Sequence, residues 1–132
     1  MFRIRTHPVA FLEVATLVAV GGFAGSNLRF FVGGLLPGLP GTLLVNAAGS
    51  LALGFVMYES LLSGRLARET QFVVASGFLS SLTTYSTFAV QSATAGVPLL
   101  FANVAANYAC GFGAVLVGRA LARRAAEWEA VE

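Results

Sequence analysis

No lysine occurs in this 132-residue sequence, histidine and cysteine occur once each, and charged residues make up only 11 %. Each shortage removes a class of function. Soluble domains carry about 25 % charged residues, so a chain with 11 % charge and 57 % hydrophobic residues is composed for lipid. His7 stands alone in the N-terminal tail and Cys110 alone in the last apolar stretch. The sequence therefore offers no transition-metal cluster, no internal disulfide and no Ser/His/Asp set. Cys110 reads as a small packing residue. No glycine pattern follows a strand, which argues against a phosphate-cradling loop, and the net charge of +2 comes with no nucleic-acid motif. Neither an enzyme nor a nucleic-acid binder is expected.

What is present is four long charge-poor stretches, Phe11 to Phe31, Gly41 to Leu62, Thr70 to Ala93 and Pro98 to Leu121. Each is near the roughly 20 residues that cross a bilayer as a helix. They are continuously apolar rather than alternating, which argues against a barrel. The first exceeds the usual leader core of about 7–15 residues, so it reads as a span rather than a cleaved segment. The expectation is an all-α membrane protein, a single domain over residues 1–132, with helices at roughly 11–33, 41–62, 70–94 and 98–122. Trp128 suits the membrane interface.

All eight cations are arginines. Arg3 and Arg5 precede the first helix, Arg65 and Arg68 lie between the second and third, and Arg119, Arg123 and Arg124 close the fourth. With four spans these seven share one side, leaving Arg29 near the other. The opposite loops, Gly33 to Pro40 and Ala95 to Pro98, carry no charge. The positive-inside rule then predicts a cell-membrane protein with both termini cytoplasmic.

Polar side chains inside such helices need partners or a wet cavity. Thr42, Asn46 and Ser50 recur every four residues on one helix face, and Asn103 and Asn107 do the same on the fourth helix. Amides so placed either glue helices together or line a pathway. In LSSLTTYSTF, seven of the eight residues from Ser80 to Thr87 carry a hydroxyl. Hydroxyls can bond back to the preceding turn and merely bend a helix, but this many predict a break in the third helix. Freed carbonyls there would suit a cation, whereas hydroxyls, amide N–H groups and ring edges suit a small anion. Glycines on helix one (Gly21, Gly22, Gly25), helix two (Gly49, Gly54) and helix four (Gly111, Gly113, Gly118) predict close helix approach. Among the acids near the spans, Glu13, Glu59 and Glu69, Glu13 is the sole fair candidate for an embedded carboxylate, although an interfacial place is the commoner reading of such a residue.

Three stretches, GGFAGSNLRFF (Gly21 to Phe31), GTLLVNAAGSLALG (Gly41 to Gly54) and LSSLTTYSTF (Leu79 to Phe88), resemble in order and spacing the motifs of the Fluc or CrcB fluoride channels. The resemblance spans helices one to three, with weaker agreement in helix four. It implies an antiparallel dimer of four-helix subunits, a broken third helix and two narrow fluoride pores. It implies a pore-facing role for Asn46, ring edges contacting fluoride at Tyr85 and Phe88, and pathway hydroxyls at Ser86 and Thr87. Arg29 would lie near an aqueous vestibule. Ser80 and Thr83 would offer main-chain carbonyls to a structural sodium ion at the dimer interface.

Ser80 and Ser81 stand where the family has a glycine pair, Tyr85 replaces a phenylalanine, and Gln91 stands where an acid is usual. The arginine bias disfavours insertion both ways, so the expected partner is either a second copy or, more in keeping with that bias, an oppositely oriented paralogue. The expected function is passive fluoride export. The alternatives are a proton-coupled small-solute exporter dependent on Glu13, and a non-conducting partner that completes a dimer.

Overall fold

A computed structural model describes the backbone of residues 8–129 and the side chains of residues 11–128. Arg3, Arg5 and His7 therefore lie outside the described residues. Described helices are α1 (Pro8–Leu35), α2 (Leu39–Leu62), α3 (Arg68–Phe72), a π-helical segment (Val73–Leu79), α4 (Ser80–Leu82), α5 (Tyr85–Thr94) and α6 (Val97–Glu129). No strand occurs among the described residues. Four spans are long and apolar enough to cross a membrane: Phe11–Leu35, Leu39–Leu62, Arg68–Thr94 and Val97–Trp128. The chain is a multi-pass membrane protein whose third span comprises four consecutive helical pieces.

The helices end where the backbone allows a turn. α2 begins after Gly38, whose φ of 79° belongs to the left-handed region that glycine adopts without strain, and Pro40 occupies its first turn. At its far end the Ser63 and Gly64 N–H groups both reach the Glu59 carbonyl, at 2.9 and 3.0 Å, with Gly64 at φ 64°. The Glu59 carboxylate adds a further tie, since its Oε1 accepts the Arg65 N–H at 3.0 Å.

Two helix pairs pack through glycine. On α2 and α6 a Cβ at Gly54 would lie 2.6 Å from the Val115 carbonyl oxygen, and one at Gly118 would meet the Leu51 carbonyl. On α1 and the third span, a Cβ at Gly77 would lie 2.8 Å from the Val18 carbonyl oxygen, and one at Gly25 would meet the Phe78 carbonyl. Lipid is as apolar as leucine, so such backbone contacts supply the packing that a hydrophobic effect supplies in water. Gly113, expected to do the same, faces open space instead. Its α6 face turns away from α2.

The third span widens before it breaks. Within the π-helical segment the Ser80 N–H reaches the Ala75 carbonyl five residues back. At Thr83 (φ −78°, ψ 158°) and Thr84 (φ −148°, ψ 122°) the chain is extended, and α5 starts again at Tyr85. The core around this point, Val45, Leu79 and Leu82, is small.

Candidate functional site at the break in the third span

An extended pair of residues at membrane depth leaves peptide groups without helical partners, each costing several kcal/mol if unmet in lipid. Asn46 on α2 meets two of them. Its Oδ1 accepts the Thr84 N–H at 2.8 Å and its Nδ2 donates to the Thr84 carbonyl at 3.1 Å, so one side chain serves both faces of one residue. The second hydrogen of that amide goes to Asn107 Oδ1 at 3.3 Å. Behind it, Asn107 donates to Asn103 and Asn103 donates to Ser92. The two asparagine faces read in the sequence thus meet on the break.

The hydroxyl run divides at the same place. Ser80 bonds back to the Ser76 carbonyl and Thr83 to the Leu79 carbonyl, the local bending role weighed from sequence. Thr84 instead caps α5: its Oγ1 accepts the Thr87 N–H at 3.2 Å and donates to Thr87 Oγ1 at 3.0 Å. Ser86 Oγ lies 3.4 Å from Thr84 Oγ1.

Two cavities adjoin the break, and Thr84 lines both. The first, a groove of about 530 Å³, is bordered by Asn46, Ser80, Tyr85, Phe88, Asn107 and Tyr108. The second, of about 460 Å³, is a vestibule bordered by Arg29, Thr42, Thr87 and Gln91. Among the described residues no carboxylate lines either cavity, and Arg29 is the one charged residue on their walls. The vestibule, with Arg29 on its wall, therefore favours an anion over a cation. Ser86 borders neither cavity.

Aromatic rings follow the groove. Tyr85 and Phe88 have centroids 5.7 Å apart, Phe88 meets Tyr108 edge to face at 6.4 Å, and Tyr108 continues to Phe112 at 6.1 Å. Phe88 is 7 % exposed whereas Tyr85 is 74 % exposed, so this chain encloses one ring and leaves the other uncovered. Thr84, Asn107 and Tyr108 are site residues that the sequence reading did not assign. The signal for Asn107 was its four-residue spacing from Asn103 and that for Thr84 its place in the hydroxyl run; for Tyr108 there was none beyond residue type.

Arg29 lines the vestibule and also donates through Nη1 to the Thr83 carbonyl at 3.4 Å. That carbonyl has lost its helical donor, because the Thr87 N–H is held by Thr84 Oγ1. The Ser80 carbonyl has lost its own, because the Thr84 N–H is held by Asn46. Both carbonyls are hard oxygen donors of the kind a sodium ion takes and so fit that ion, the Thr83 oxygen only through the lone pair that the Arg29 guanidinium leaves open. One chain brings only part of a shell.

Glu13 keeps to the interfacial reading, and a different acid is buried. Glu13 is exposed on α1, one turn beyond its described start, whereas Glu59 is 6 % exposed with Oε2 lacking a hydrogen-bond partner among the described residues. The α2 C-terminus folds over Glu59, a tertiary effect that residue order does not reveal.

Residues 16–119 match the family model described as CrcB-like protein, Camphor Resistance (CrcB). The chain is 55 % identical over 118 residues to "Fluoride-specific ion channel FluC 1" of Haloarcula marismortui, covering 89 % of this chain and 92 % of that protein. It is 50 % identical over 110 residues to "Fluoride-specific ion channel FluC 2" of Halobacterium salinarum, covering 83 % and 86 %. With a protein of Methanosarcina barkeri also named FluC 2 it shares 35 % identity over 108 residues, 82 % and 86 %. With the broken third span and its asparagine clamp in view, these matches establish that the chain belongs to the CrcB family.

Proposed function

We propose that this chain is a subunit of a passive fluoride-selective channel, releasing cytoplasmic fluoride across the cell membrane. The observation that carries the reading is the Thr83–Thr84 break, clamped by Asn46 between two cavities free of carboxylates. The relatives' names, all of fluoride-specific ion channels, support it. Fluoride is small and strongly hydrated, so a dry pathway must replace its water with several weak donors. The hydroxyl of Thr87, the amide of Asn46 and the positive ring edges of Tyr85 and Phe88 are suitable groups. Arg29 raises the local anion concentration at the vestibule.

The working unit we propose is an antiparallel dimer, with the uncovered Tyr85 ring facing the second subunit and both termini of this chain cytoplasmic. The numbering of the relatives as FluC 1 and FluC 2 supports a paralogous partner. A structural sodium ion bound by the Ser80 and Thr83 carbonyls would draw its remaining ligands from that subunit. It would supply charge compensation for carbonyls exposed at membrane depth.

Fluoride efflux from liposomes, followed by a fluoride electrode with chloride as control, tests the reading. Rapid fluoride efflux is expected from the chain with its partner, and Phe88→Ile, which keeps apolar volume but removes the ring quadrupole, should reduce it at least about tenfold. Equal fluoride and chloride efflux would overturn the proposal. Glu59→Gln separates a channel from a proton-coupled exporter: the channel keeps its efflux, because an amide oxygen can still accept the Arg65 N–H, whereas an exporter loses it.

A further inference from the structure

We propose that Asn107 tunes anion recognition at the break by holding the second amide hydrogen of Asn46 until fluoride claims it. A polar relay behind Asn107 keeps it an acceptor. The inference rests on the fluoride reading above and deepens it.

The relay has one direction only. Ser92 has a single hydroxyl hydrogen and gives it to the Phe88 carbonyl at 2.7 Å. Its oxygen is then an acceptor, and Asn103 Nδ2 donates to it at 2.9 Å. That fixes the orientation of the Asn103 amide and turns its Oδ1 to Asn107, whose Nδ2 donates to Oδ1 at 2.9 Å and to the Asn103 carbonyl at 3.0 Å. Asn107 is left with only its oxygen to present to Asn46. From the other end, the Thr84 N–H pins Asn46 Oδ1 at 2.8 Å, so both termini of the relay demand the same orientation of every amide. Ser92 and Asn103 are each 6 % exposed, and burial protects this polarity from competition by bulk water.

The weak point faces the groove. The Asn46 to Asn107 bond, 3.3 Å, is the longest in the relay, and both residues border that cavity. An N–H makes a bond roughly twice as strong to an ionised acceptor as to a neutral one, so a fluoride ion entering the groove displaces the Asn107 oxygen. A larger, softer anion makes a poorer acceptor and leaves the bond closed. Asn107 is thus a built-in competitor that sets how strong an acceptor must be to open the site, and its lone pairs repel any anion that does not.

The test is the fluoride dependence of efflux for the assembled channel. Asn107→Leu, of similar volume and without an acceptor, frees the Asn46 hydrogen. The half-saturating fluoride concentration should fall about three- to tenfold and chloride leakage should rise. In an Asn46→Ala background the same change should have no further effect on half-saturation. Ser92→Ala, which removes the terminus that sets the polarity, should shift half-saturation in the same direction by less, while Ser92→Thr keeps the wild-type value. An unchanged half-saturation in folded Asn107→Leu, or an equal shift with and without Asn46, overturns the inference. Should Asn107→Leu not fold, Asn107→Ser withdraws the same oxygen and reads the same quantity. A wild-type channel that moves no fluoride, with or without its partner, sinks the fluoride reading itself and this inference with it, an outcome distinct from a conducting wild type with an indifferent Asn107.

Discussion

At the scale of single residues, Asn46 does two jobs that usually belong to different groups. It closes the hydrogen bonding of a broken backbone and it stands on the wall of a groove. Its replacement should therefore affect stability as well as transport. In Asn46→Ala the Thr84 N–H and carbonyl lose their partners, and each buried group left unmet costs about 1–3 kcal/mol. Thermal melting of the purified protein should fall accordingly, and fluoride efflux with it. Asn46→Asp keeps an acceptor for the Thr84 N–H but turns a carboxylate oxygen on the Thr84 carbonyl and Asn107 Oδ1, so it should melt no higher than Asn46→Ala. An unchanged melting temperature for Asn46→Ala would mean that the break is satisfied by water or by the second subunit. The presence of the asparagines and of the hydroxyl run was legible from residue type and spacing. Their division of labour was not, because Thr83 and Thr84 are identical in sequence while one bonds back to Leu79 and the other caps α5.

At the scale of elements, the spans were readable from apolar length and the break from the hydroxyl run. The π-helical stretch Val73–Leu79 was not, since VVASGFL has the composition of any buried helix and nothing in residue order marks the wider turn, which lies where α1 approaches the backbone closely. The glycines make the same point. Gly113 and Gly118 lie five residues apart on α6 and look alike in sequence, yet one faces open space and the other the backbone of α2. Gly118→Val should separate α2 from α6 and abolish folded protein in gel filtration. Gly113→Ala should leave folding intact and raise the melting temperature slightly, as alanine is the better helix former by about 1 kcal/mol. Equal tolerance of the two changes would mean that α2 and α6 do not pack through Gly118.

At the scale of the whole molecule, charge and the aromatic face make one argument about assembly. Among the described residues, Arg65, Arg68, Arg119, Arg123 and Arg124 lie towards one membrane face, while Arg29 lies towards the other. The positive-inside rule predicts that a chain so biased inserts one way. Yet Tyr85, Tyr108 and Phe112 leave an uncovered aromatic wall along a groove that also holds the polar Asn46 and Asn107 and the apolar Leu53, Leu79 and Val115. Covering that wall with an antiparallel neighbour requires a subunit of opposite bias. A C-terminal reporter active on only one side of the membrane should therefore show a single orientation for this chain. Exchanging the exposed Arg123 and Arg124 for serine should weaken the bias and give a detectable oppositely oriented fraction. Co-expression with a paralogue rich in arginine on the opposite loops should yield a purified complex of both chains. Replacing sodium by a bulky organic cation should lower the melting temperature of that complex more than that of the single chain. A wild-type chain found in both orientations and purifying as a dimer of itself would show instead that the arginine asymmetry is too weak to choose, and that the groove is covered by a second copy.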